Sequence, residues 1–240
     1  MKYLLKLIAV CIVLVSVVLG YDFFFDDENV EAVPAISSVK QERQEPDIVI
    51  HDKKILWTAN REELIKQYSK LHYGKNSVKI NPQAIVLHWT ASDNMEGVYN
   101  YFYDETMPDD GGGTLNVASH FLVDRDGTIY RLTEENVLNR HAIGYNWCSI
   151  GIENVGGVEG REDLTEQQVQ ANINLIKYLK YKYPEIKYVW GHYQQEQAKS
   201  TGLFIENIPD YYAVKIDPGT KFMSAVGLGL KNENIKIFTD

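Results

Sequence analysis

The feature that most constrains this chain is the run Ala84-Ile85-Val86-Leu87. Four consecutive apolar residues without polar alternation describe a strand of the fully buried kind, which needs cover on both faces of its sheet. The run ends at His88. Around it, strand and helix patterns are mixed. Ile48-Val49-Ile50 suggests a short strand, and Thr58–Tyr73 reads as a helix in which Leu64, Ile65, Tyr68 and Leu71 recur at helical spacing, with Gly74 as its C-cap. Met95–Tyr103 is a second helical stretch, followed by Asp109-Asp110-Gly111-Gly112-Gly113, read as a flexible loop. This loop lacks phosphate-loop character because no GK[ST] follows it.

A hairpin is marked by His120–Val123 and Thr128–Leu132 flanking the turn Asp124-Arg125-Asp126-Gly127. Cys148–Val155 reads as a further strand. Leu164–Tyr183 is the clearest helix, with Thr165 and Gln168 forming a capping box and Val169, Ile173, Ile176 and Leu179 forming one stripe. Pro184 ends it, and Lys187–Trp190 forms a strand leading into Gly191-His192. The expected fold class is therefore α/β (mixed α+β), a central mixed β-sheet flanked by helices, over residues 49–240. A hydrophobic content of 45% and sixteen tyrosines are too high for a disordered chain.

Residues 1–20 place Lys2 and Lys6 before an apolar run from Leu7 to Leu19. This is the layout of a secretory signal peptide, and a slightly longer span would serve as an uncleaved N-terminal membrane anchor. Cys11 lies within the run, which argues against a lipoprotein signal. Residues 21–48 are acidic and polar apart from Phe23–Phe25, and read as a flexible linker. Export is the expectation, to the periplasm, cell envelope or exterior.

Loss of residues 1–20 takes the formal net charge from −9 to −11. Such a surface excludes nucleic acid as an expected partner, because phosphate binding needs clustered Lys and Arg. It disfavours docking on anionic lipid as well. Cys148 is then the one cysteine left, so no internal disulfide can form, and it reads as a small buried side chain.

Three residues share a placement suited to metal chemistry. His88 and His192 each end a strand, and Asp217 precedes Pro218-Gly219. Two imidazoles and a carboxylate leave an open position on tetrahedral Zn²⁺, as catalytic zinc sites require, and such an ion activates water for attack on an amide carbonyl. With six histidines and many acids in the chain, these residue types alone do not single out that set.

The motifs taken in order do more. Ile85–Ala91, Ser119–Gly127, His141-Ala142, Ser149-Ile150-Gly151-Ile152-Glu153, Gly191-His192 and Lys215-Ile216-Asp217-Pro218-Gly219 follow one another over about residues 80–222. In order and spacing this segment resembles the zinc-dependent N-acetylmuramoyl-L-alanine amidases, the family that includes phage amidase lysozymes and peptidoglycan recognition proteins. The resemblance implies that His88, His192 and Asp217 hold zinc, and that the bond cut joins the lactyl group of N-acetylmuramic acid to L-alanine of the stem peptide. It implies that Glu153 is the general base and proton donor, and that Lys215 stabilises the oxyanion. Thr90 and His141 are secondary, substrate-groove candidates, and Thr90, two residues beyond His88 on the same side of an extended chain, is also placed to orient a metal ligand. His120 reads as a packed core histidine, and His51 and His72 carry no assignment.

One departure stands out. Tyr193–Val214, with Tyr211 and Tyr212, is longer than the loop usual at this place in the family; loops of this length are commonly functional, and this one is expected to wall the groove. A non-catalytic peptidoglycan-binding module is the alternative reading, and the complete set of ligand candidates with Glu153 and Lys215 favours the enzyme.

Overall fold

A computed structural model describes residues 45–239. The expected signal or anchor, and the linker up to residue 44, lie outside the described residues. Among the described residues no helix is long and apolar enough to cross a membrane.

The strands are β1 (His51–Asp52), β2 (Ala84–Trp89), β3 (Phe121–Val123), β4 (Ile129–Arg131), β5 (Ser149–Asn154), β6 (Tyr188–Gly191) and β7 (Lys236–Ile237). The helices are α1 (Ala59–Tyr73), α2 (Met95–Tyr103), α3 (Glu166–Lys182) and α4 (Thr220–Gly229). The strands form one seven-stranded sheet in the order β1-β4-β3-β5-β2-β6-β7. All pairs are parallel except the β3–β4 hairpin. The run at 84–87 thus lies between β5 and β6, and every residue of β2 is buried. A mixed sheet covered by helices is the class the alternating pattern predicts.

Two layers cover the sheet. On one face Ile85, Leu87, Ile150, Ile152 and Val189 pack with Ile173, Ile176 and Leu179 of α3 and Phe222, Met223 and Val226 of α4. On the other, Ala84, Val86 and Trp190 lie against Tyr145, Ala142, Ala198 and Leu203. Because side chains alternate along a strand, His88 shares this second face with Ala84 and Val86. Helix α3 starts as expected, with Thr165 and Gln168 satisfying each other's backbone N–H groups in a capping box.

Several elements differ from the sequence reading. Residues 48–50 form no ladder; Ile48 and Ile50 pack against the core, and strand pairing starts only at His51. On α1 the buried face is Arg61, Ile65, Tyr68, Ser69 and His72, while Leu71 is 48% exposed. Arg61 and His72 take that face with tertiary partners, while Arg61 Nε and Ser69 Oγ are buried without one. One guanidinium nitrogen of Arg61 donates to the carbonyls of Phe102, Tyr103 and Asp104, and His72 meets the Gly112 carbonyl and the Glu206 carboxylate at 2.9 Å each. Helix α4 and strand β7 carry no strong local signal. The first contains two glycines, and the second is two residues long.

His120 is fully buried. The Gly151 N–H donates to its Nδ1, and its Nε2 faces the Val137 carbonyl at 2.8 Å. Burial lowers its pKa to about 4. The neutral form is therefore native, while the unfolded chain takes up a proton below about 6.5, so stability is full above that pH and is lost as pH falls toward 4. We expect this group to remove roughly 2 kcal/mol between pH 7.5 and 5. Urea unfolding of the metal-free protein across that range measures it, and a flat profile contradicts it.

Candidate active site

Three adjacent parallel strands bring the motifs together. In the sheet His88 on β2 pairs with Glu153 on β5, and Leu87 pairs with Gly191, so His192 follows at the carboxyl end of β6. Ligands in open α/β sheets gather outside such strand ends. Below them Asn154 donates to the His88 carbonyl at 3.0 Å, and Asn172 donates to Asn154 Oδ1 at 2.6 Å. These buried amides hold the ends of β2 and β5 in fixed relation.

Asp217 arrives from a loop, and a glycine makes room for it. A Cβ at Gly191 would lie 2.8 Å from Pro218 Cδ, so only glycine admits the ring that follows Asp217. The Tyr193 N–H donates to the Asp217 carbonyl at 2.9 Å. Beyond it, Glu162 accepts from the N–H groups of Thr220 and Lys221, capping the first turn of α4. Asp217 is thus tied on both sides.

The result is a tight triad. His88 Nδ1 and His192 Nδ1 are 2.9 Å apart, and each lies 3.2 Å from Asp217 Oδ2. All three residues are buried. Burial would raise the Asp217 carboxyl, but its hydrogen bonds with His192 and His88 outweigh that and hold it far below the usual carboxylate range. Burial and the neighbouring His88 lower His192 to about 4. Three lone-pair atoms at this spacing cannot satisfy one another without a proton or a cation between them. Tetrahedral zinc ligands at about 2.0–2.2 Å from the ion stand about 3.3–3.6 Å apart, and this donor set, at 2.9–3.2 Å, is slightly tighter than that. His88, His192 and Asp217 can therefore hold a divalent metal.

Glu153 lies beside the triad. Burial and the Asp217 charge push its carboxyl well above the usual range, opposed by Lys215, and its Oε2 is buried without a hydrogen-bond partner. Lys215 is exposed and lines the same cleft. The cleft is about 610 Å³ and opens past Thr90, Tyr101, Tyr211 and Ala213. Thr90 lines it, but its hydroxyl is committed to the main chain, donating to the Ser92 carbonyl and accepting from the N–H groups of Ser92 and Gly156. His141 also lines the cleft, and its Nδ1 is 3.2 Å from His88 Nε2. Burial and the adjacent His88 hold the His141 ring well below its ordinary pKa.

The cleft walls involve residues that sequence reasoning passed over. Arg140 donates to both Asp110 oxygens at 2.6 and 2.7 Å and to the Tyr211 hydroxyl at 2.7 Å. Through it and His72, the loop at Asp109–Gly113 is pinned, where the glycine run had suggested freedom. Gly112 matters here because the Tyr211 ring occupies the space a Cβ would need. The 193–214 segment folds into short 3-10 turns at His192–Gln194 and Gln197–Thr201 and then runs back over the sheet. The Leu203 carbonyl accepts from Trp147 Nε1, and the Ile205 N–H donates to the Gly144 carbonyl. The signal for this anchoring was its apolar content, Leu203, Phe204 and Ile205, in a stretch too long for a plain turn.

Two histidines at strand ends and a carboxylate from a loop, beside a half-buried acid in an open cleft, form an arrangement suited to metal-assisted hydrolysis. The profile of the N-acetylmuramoyl-L-alanine amidase family matches residues 78–220, and the chain belongs to that family. The chain is 35% identical over 75 residues to the endolysin of Klebsiella phage KP32, and 37% identical over 75 residues to the endolysin of Escherichia phage T7. Each match covers 30% of this chain and 50% of the phage protein, so the chain spans about half the length of the curated relatives it matches. Among solved structures, N-acetylmuramoyl-L-alanine amidase LysC from Clostridium intestinale URNW is similar at 24% identity and a TM-score of 0.49, covering 79% of this chain and 100% of that one.

Proposed function

We propose that this chain is a zinc-dependent hydrolase that cuts the amide between N-acetylmuramic acid and L-alanine in peptidoglycan or muropeptides. The observation that carries the reading is the convergence of His88 Nδ1, His192 Nδ1 and Asp217 Oδ2 within 3.2 Å, beside Glu153, whose Oε2 is buried. His88, His192 and Asp217 would hold the zinc ion, which supplies Lewis-acid polarisation of the scissile carbonyl and acidifies water.

The remaining steps belong to side chains. Glu153, with its raised carboxyl pKa, takes the proton of the attacking water and returns it to the leaving amine nitrogen. Lys215, at the cleft edge, offers its ammonium to the oxygen that gains charge in the tetrahedral intermediate. The cleft, with Tyr101 and Tyr211 on its walls, receives the stem peptide and the sugar to which it is joined. The proposal extends to the whole chain: residues 1–20 direct export as a cleaved signal or retained anchor, 21–48 form a linker, and 49–240 form the catalytic domain.

The test uses purified protein. Metal analysis should find about one zinc per chain, and mass spectrometry of digested muropeptides should show free stem peptide and peptide-free glycan. Zinc-free protein that cuts this bond, or zinc-loaded protein that leaves it intact, overturns the proposal.

A further inference from the structure

His141 has a geometry that a groove-lining residue does not require. Its backbone is set by Asn146, whose Oδ1 accepts from the N–H groups of His141 and Ala142 at 2.9 and 2.7 Å. Its ring lies over β5 where the strand has no side chain, since a Cβ at Gly151 would approach the ring to 2.7 Å. The ring stands edge-on to His88, with centroids 5.3 Å apart and planes at 90°. This places one ring nitrogen on Ser149 and the other on His88.

The proton positions follow from the partners. His141 Nε2 faces the Ser149 carbonyl at 3.3 Å and Ser149 Oγ at 3.4 Å. The carbonyl can only accept, and Ser149 Oγ has its single proton engaged with the Tyr145 carbonyl at 2.8 Å. His141 Nε2 therefore carries hydrogen. In the neutral ring Nδ1 is then a bare acceptor, and it lies 3.2 Å from His88 Nε2. His88 must donate from Nε2, which leaves its Nδ1 lone pair facing His192 and Asp217.

We infer that His141 is a positioning residue that fixes the His88 tautomer and ring orientation, so that Nδ1 of His88 is presented to a divalent cation. The relay runs from the Ser149 carbonyl through both rings to the site. This rests on the metal-site reading above. It gives His141, which lines the cleft, the further part of supporting a ligand. Outer partners of metal-bound histidines typically alter metal affinity 10–100-fold when lost.

Two measurements test it. The first is zinc affinity by competition with a chelating dye. His141→Leu, which fills space but accepts nothing, should weaken binding by roughly 10–100-fold. His141→Asn carries an amide oxygen near the Nδ1 position and should restore affinity to within about threefold of the parent. Leucine and parent binding zinc equally overturns the inference while leaving the metal site standing; failure of the parent to bind zinc overturns the metal site itself. The second measurement needs no variant and covers the case in which His141→Leu does not fold. Nitrogen-15 correlation spectra of the imidazoles, in metal-free and zinc-loaded parent protein, should show His141 and His88 both protonated at Nε2. A His141 ring protonated at Nδ1 overturns the relay.

Discussion

Glu153→Gln should leave the zinc content at the parent level and lower turnover on muropeptides by roughly 10²–10⁴-fold. Glutamine keeps the shape of the side chain and hydrogen-bonding atoms at its end, but its amide cannot accept the proton of the attacking water. The side chain sits on β5 opposite His88, in a position where burial and the Asp217 charge already favour a proton on the carboxyl. A carboxyl raised above the ordinary range by its surroundings is a stronger base than an exposed acid, so it can hold the proton taken from water until the amine leaves. Metal analysis and initial rates on the same preparation separate the two effects. Parent-like turnover removes Glu153 from the chemistry, and loss of zinc would show that it supports the site and not the proton transfer.

His88→Ala should abolish zinc binding and activity together, lowering the rate by at least about 10³-fold, on the scale of removing an essential catalytic group. Three donors are the whole protein contribution to this centre, and removing one leaves His192 and Asp217 with too few ligands for a tetrahedral ion. The variant also separates binding from folding. Zinc at about 100 times its Kd stabilises the parent by about 2.7 kcal/mol, and that increment should vanish in the variant. Thermal unfolding with and without zinc measures it. A variant that keeps its zinc and its zinc-dependent shift would remove His88 from the ligand set.

The two variants bear on different parts of one constellation, and these parts were unequally readable from residues alone. The apolar run 84–87 and the strand 187–190 follow from hydrophobic pattern and become β2 and β6, and the capping box at Thr165 and Gln168 is a local signal that stands at the start of α3. The pattern is less informative on α1. There Leu71 has the right spacing yet points to solvent, because Arg61 and His72 occupy the buried face with partners 40 or more residues away in the chain. A periodicity argument counts polarity, and cannot know that a distant carbonyl will receive a guanidinium. The loop at 109–113 carries the same lesson: its glycines suggest freedom, but Asp110 and Gly112 are held by Arg140, Tyr211 and His72.

By itself the sequence determined the fold class, the apolar strands that lead into His88 and His192, and the short motifs holding His88, Glu153, His192, Lys215 and Asp217. Hydrophobic period and motif order are properties of neighbouring residues, so they survive without coordinates. Only the tertiary structure decided that three of these atoms lie within 3.2 Å of one another, that the Thr90 hydroxyl is spent on the main chain, and that His141 reaches His88. Those distances depend on parallel pairing of β2 with β5 and β6, and on the absence of a side chain at Gly151 and Gly191. Register and close approach are set by packing between segments up to 129 residues apart, and no local pattern encodes them.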